Sequence, residues 1–107
     1  MANPWEGEVA LVIGGERYVM RLTLGALAEL ETALSQGSLV DLVARFEEGA
    51  FSTRDVLALI VAGLRGGGWR GSTSDLLSAE IEGGPLAAAR AAAELLARAF
   101  SLPEAQG

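Results

Sequence analysis

The apolar residues change period once, near the start of the chain. Val9, Leu11 and Ile13 occupy alternate positions, and Tyr18, Met20 and Leu22 resume the alternation, as on half-buried strands. From Leu24 the leucines recur at Leu27, Leu30 and Leu34, the spacing of one helix face. Thr23 stands at the joint, where its hydroxyl can accept a bond from a free N–H of the first helical turn. Leu22 and Leu27 flank that cap as a hydrophobic staple. Sheet is therefore expected before the stretch Arg21–Glu31 and helix after it, with Leu24, Leu27 and Leu30 facing the core. Gly25 is not explained by this pattern. Glycine inside a helix costs about 1 kcal/mol against alanine, so another backbone or a bulky side chain is expected to pass close to it.

Gly14-Gly15 separates the two alternating runs and supplies the positive φ values of a two-residue hairpin turn. A turn there pairs Leu11 with Tyr18 and Val9 with Met20, giving one apolar face. Arg17, Val19 and Arg21 point to the other. Two strands alone are marginal in water, so the apolar face must pack on helices. The outer edges stay unpaired unless a partner or another copy covers them.

Hydroxyl and acidic residues three apart then mark helix starts at Ser38/Asp41 and Ser52/Asp55, and Ser72 or Ser74 opens a further helix. Phe51 and Val56 flank the Ser52 cap as a second staple. Ser35-Gln36-Gly37, Gly49 and Gly83-Gly84 mark stops, and Pro85 suits the first position of a last helix. That helix is rich in Ala, so it is expected to pack closely across the third, whose Val56–Leu64 run is apolar nearly all round. The expectation is an α+β fold: a hairpin at about 8–13 and 16–22 packed on five helices at about 24–34, 38–48, 53–65, 73–82 and 85–100. One domain spans 1–107, with flexible ends at 1–7 and 102–107.

Composition narrows the chemistry. The chain has 107 residues, no Cys and no His, and all 8 of its basic residues are Arg. Disulfides, thiolate metal sites and the commonest general base are therefore missing. The net charge of −6 repels phosphate backbones, so no nucleic-acid partner is expected. The longest uncharged apolar run, Val56–Leu64, falls far short of the roughly 20 residues that span a bilayer. The N-terminus lacks a basic region followed by an apolar one. A soluble, cytoplasmic protein without membrane attachment is expected.

Serines and threonines find neither His nor Lys to activate them, and most are used as caps. The carboxylate pairs Glu29/Glu31 and Glu47/Glu48 do not face each other on a helix. Gly66-Gly67-Gly68 lacks the Lys-Ser/Thr of a phosphate loop and follows a helix. It reads as a helix end with a mobile connector. No catalytic, cofactor or metal site is expected. Binding surfaces remain. Trp69, between glycines and flanked by Arg65 and Arg70, is placed either to anchor a protein partner or to fold back over the core. Trp5 in the N-terminal arm has the same two readings. Arg17 and Arg21 on the outer hairpin face are placed to meet an acidic partner or to stay solvated. These six residues are the candidate partner-binding positions.

Gly7-Glu8-Val9-Ala10-Leu11, Gly15-Glu16-Arg17-Tyr18 and Arg21–Glu31 together resemble a family of small tail proteins encoded in gene transfer agent and related phage-like clusters of alphaproteobacteria. Leu64-Arg65-Gly66-Gly67-Gly68 after an apolar helix resembles it too. The resemblance covers about residues 3–100, and Arg21–Glu31 is its most specific part. It implies a non-enzymatic tail-morphogenesis protein, foremost a tail assembly chaperone that binds the tape-measure protein and helps recruit tail tube protein. A tube or minor tail subunit is the alternative, and a peptide-binding adaptor or regulatory module is the reading from outside tail biology. Exposed hairpin edges are expected to allow a homo-oligomer. Gly25 belongs to the family stretch, but the more promising binding surfaces lie on the hairpin edge and around Trp69.

Overall fold

A computed structural model describes residues 7–34 and 37–100. It is α+β, with strands β1 (Val9–Ile13) and β2 (Glu16–Met20) followed by helices α1 (Leu24–Ala33), α2 (Leu39–Glu48), α3 (Thr53–Gly66), α4 (Thr73–Leu77) and α5 (Gly84–Ala99). Trp5, the stop signal at Ser35-Gln36 and the tail at 102–107 lie outside the described residues.

The hairpin forms in the expected register, with Leu11 opposite Tyr18 and Val9 opposite Met20. Gly14 and Gly15 both take positive φ, 59° and 83°, as a turn of this kind requires. Val9, Leu11, Ile13 and Met20 are buried, so the alternation does put one face on the core.

The chain itself covers part of each edge. Beside β1, Gly14 N–H donates to Glu80 O at 2.8 Å and Glu82 N–H donates to Val12 O at 3.0 Å. Ile81 thereby bridges Ile13 in antiparallel fashion. Just beyond β2, Arg21 N–H donates to Gly63 O at 2.9 Å. The end of α3 lies against the same edge so closely that a Cβ on Gly66 or Gly67 would collide with the carbonyl oxygens of Arg21 and Val19. Gly66 and Gly67 are a contact surface between helix and hairpin, not a loose connector, while Gly68 turns the chain with a φ of 102°.

The fourth helix is shorter than expected. It stops at Leu77 instead of continuing to about 82. The physical reason is the competition for backbone bonds at Glu80 and Glu82, which go to β1. Polar–apolar–polar alternation at Glu80-Ile81-Glu82 carries the strand-like signal. The caps elsewhere fall where the hydroxyl–acid pairs place them. Thr23 Oγ1 accepts from Ala26 N–H at 3.1 Å. Ser38 N–H donates to Asp41 at 2.9 Å, and Ser72 N–H donates to Asp75 at the same distance.

Helix α3 is the central element, packed against β2, α1, α4 and α5. Every residue from Leu59 to Leu64 is buried. Helix α5 approaches through Ala88, Ala91, Ala92, Leu95 and Leu96, and Gly63 leaves room for Leu95 and Met20. Leu30 is fully buried, but Leu24 does not face the core: it is 84% exposed. It occupies the first helical position, ahead of the part of α1 that lies on α3. Gly25 is a second departure. Among the described residues, a Cβ built there meets only Thr23 Oγ1, at 4.0 Å, and neither a backbone nor a bulky side chain of theirs passes close to it.

Candidate interaction site

Helix α2 is held at its C-terminal end by Arg45 and Phe46. The Arg45 guanidinium grips the Asp55 carboxylate with two bonds of 2.9 Å, from Nε and from Nη2. Asp55 also accepts from Ser52 N–H at 2.9 Å, while its own N–H donates to Ser52 Oγ at 3.1 Å. The Arg45 bonds hold the Asp55 carboxyl below its usual range, against the opposing effect of burial, and the Ser52 bonds add to them. Phe46 stacks on Phe51 with centroids 4.4 Å apart and planes 8° from parallel. This clamp fixes the N-terminal end of α3 and aims Phe51 and Val56 along one side of it.

An open groove of about 880 Å³ begins there. Its floor is Val56, Leu57 and Ile60 of α3. One wall is Leu76 and Leu77 of α4 with Ile81, and the other is Pro85, Leu86 and Ala89 at the start of α5. Leu76 turns inward and is buried, so its neighbour Leu77 turns outward and is 68% exposed. Leu86, in the first turn of α5, is 63% exposed. Both therefore add exposed apolar surface beside an apolar groove. Leu57 also lines a second groove, of about 560 Å³, between α1 and α3, where Glu29, Arg54 and Arg65 supply charge of both signs.

The candidate residues do not gather in either groove as a group. Arg65 lines the α1–α3 groove and holds Glu29 at 3.6 Å. Its Nη2 also donates to Gly71 O at 3.3 Å, which ties down the connector carrying Trp69. Trp69 is half-buried against the core, with its ring against Gly71, while Arg70 is exposed. Arg17 is exposed on β2. Arg21 lines a separate polar pocket of about 450 Å³ with Leu24 and Arg98. The buried Nε of Arg98 has no hydrogen-bond partner among the described residues. Trp5 lies outside them.

Sequence reasoning missed Leu77, Leu86 and Arg98. Leu77 and Leu86 look like ordinary core positions until the helix ends are known. Among the described residues, no group of three or more His, Cys, Asp and Glu gathers that could hold a metal ion, and no helix is long and apolar enough to cross a membrane.

A hairpin whose edges the chain partly covers, a central helix and an open apolar groove describe a small α+β module. A model of the family described as phage tail tube protein, GTA-gp10, matches residues 6–102. The chain therefore belongs to that phage tail family, associated with gene transfer agents. No curated protein and no solved structure matches it.

Proposed function

We propose that this protein is a non-enzymatic factor in tail morphogenesis, a chaperone that binds the tape-measure protein and assists assembly of the tail tube. The observation that carries this reading is the use of the hairpin edges. Ring- and tube-forming subunits joined through β-structure need strand edges to offer. Here Glu80–Glu82 and the end of α3 lie along part of those edges, and an edge-to-edge homo-oligomer using those parts would have to displace them. What remains for a partner is the helical side of the molecule, which is apolar and open. The net charge of −6 keeps such a carrier dispersed.

The family's description as a tail tube protein favours a second reading, a subunit of the tube itself. Co-expression with the tape-measure protein of the same particle separates the two. The chaperone reading expects the tape-measure protein to become soluble and to co-elute on size exclusion. An insoluble tape-measure protein with no complex refutes it, and hollow rings or tubes formed by the purified protein establish the tube reading.

A further inference from the structure

We infer that the pocket between the start of α1 and the end of α5 binds a carboxylate, presented by an Asp or Glu that stands beside a large apolar residue in a protein partner. The inference does not depend on which tail role the protein plays.

The pocket has a volume of about 450 Å³. Arg21, Thr23 and Leu24, at the joint of β2 and α1, line it together with Arg98 and Ala99 of α5. No Asp or Glu is among its described lining residues, although the chain has 14 acidic residues against 8 arginines. Other arginines have an acid at hand. Arg45 holds Asp55 and Arg65 holds Glu29. Arg54 shares its groove with Glu29, and Arg90 lines a pocket with Glu82 and Glu94. At the α1–α5 pocket two cations meet with no carboxylate between them.

Their hydrogen-bonding capacity is unused as well. Neither the Arg21 nor the Arg98 guanidinium has a hydrogen-bond or ion-pair partner among the described residues. The Nε of Arg98 is sealed from water without a partner, and a cation that has lost hydration without gaining an acceptor is costly. With Nε sealed, the guanidinium offers a ligand its Nη end, whose N–H groups match the two oxygens of a carboxylate. Thr23 Oγ1 accepts from Ala26 N–H, which leaves its own hydroxyl proton to donate.

The apolar part of the pocket decides between carboxylate and phosphate. Leu24 lines the same pocket and is 84% exposed. An acidic side chain next to an apolar one neutralises the arginines and covers Leu24 at once. A phosphate covers no leucine, and a phosphate polymer is repelled by a chain of net charge −6.

The test uses the whole protein, labelled with ¹⁵N, and two short blocked peptides with the same leucines, one with Glu between them and one with Gln. The Glu peptide should bind saturably and shift the amide signals of Thr23, Leu24 and Ala99, and the Gln peptide should bind at least about fivefold more weakly. Arg21→Gln and Arg98→Gln should each weaken the Glu peptide by about fivefold. Arg21 is exposed, so its variant reads the pocket even where Arg98→Gln lowers the folded population. Arg54→Gln removes the same charge from the α1–α3 groove and, at physiological salt, should leave the affinity within about twofold. No saturable binding, equal binding of the two peptides, or a loss at Arg54 as large as that at Arg21 would overturn the inference. Inorganic phosphate that binds more tightly than the Glu peptide and shifts the same signals assigns the pocket to phosphate and overturns it too. So does a dimer of the free protein that Arg98→Gln dissociates, which assigns the pocket to a second copy.

Discussion

The two ends of α3 are built on opposite plans. At the C-terminal end the backbone itself makes the contact. Gly66 and Gly67 press on the carbonyl oxygens of Arg21 and Val19, Gly63 O accepts from Arg21 N–H, and the residues from Leu59 to Leu64 are sealed from water. At the N-terminal end side chains do the holding. Asp55 is clamped by Arg45, Phe51 is stacked on Phe46, and Val56 and Leu57 are left half-buried over an open groove. The difference separates sealed from accessible surface on one helix. A backbone approach leaves no volume for a ligand. A side-chain clamp at one corner holds the helix in place and leaves its flank accessible.

The sharpest way to break this comparison is to put a methyl group into the closed end. Gly67→Ala sets a Cβ against Val19 O, and no side-chain rotation can relieve a clash between backbone atoms. The hairpin or the end of α3 must move. The expected cost is about 3 kcal/mol, at the upper end of overpacking effects. In a domain of this size that lowers the unfolding temperature by roughly 10 °C or more. Thermal unfolding followed by circular dichroism measures it. A midpoint equal to the parent's would mean that the closed end is not closed.

How far the sequence spoke depended on whether a signal was local. The hairpin was legible because alternation and Gly14-Gly15 sit within one stretch of chain, and each of the caps at Thr23, Ser38 and Ser52 is decided within four residues. The glycine run was legible only as punctuation, because its meaning comes from Val19 and Arg21, more than forty positions away. Ile81 was drawn into a helix because its strand partner, Ile13, lies across the fold. The Arg45–Asp55 pair joins two helices and has no periodic trace. The groove was invisible for a related reason. Leu76 and Leu77 are equivalent as letters, and only the short span of α4 decides which one stands in water. Arg65 is tied to the connector that carries Trp69, and that connector says nothing of where a partner sits.

The open end is tested by removing its charge. Asp55→Asn keeps the shape of the side chain and weakens both bonds to Arg45. The expected loss at neutral pH is about 2 kcal/mol, below that for a fully buried pair because the Arg45 side chain is 28% exposed. The pH dependence follows from the direction of the shift. The Asp55 carboxyl is held below its usual range, chiefly by Arg45. Its contribution is thus fully present above the ordinary aspartate pKa of about 3.9 and fades as pH falls through the lower folded value. Parent and variant should differ in urea midpoint at neutral pH and converge in strong acid. Parallel stability curves across that range would show that Asp55 acts through packing alone.

The smallest expected effect sharpens the comparison most, because it asks whether glycine as such makes a position sensitive. Gly25 shares its residue type with Gly67 and lies only four residues beyond Arg21, whose carbonyl oxygen crowds Gly66. Yet it stands in the open, with Thr23 Oγ1 at 4.0 Å as the nearest neighbour of an added Cβ, and its φ is not positive. Nothing among the described residues around it demands glycine. Gly25→Ala should therefore raise stability by about 0.5 kcal/mol, through the lower conformational entropy of the unfolded chain and the better helix propensity of alanine in the first turn. Chemical denaturation of the variant beside Gly67→Ala gives the contrast directly: one methyl group, added twice, with opposite signs. A gain at Gly25 and a loss at Gly67 attribute the sensitivity of the closed end to the carbonyl oxygens of Val19 and Arg21. A loss at both positions would mean that the first turn of α1 is also a packed joint, and that the open character of this corner, Leu24 included, does not hold in solution.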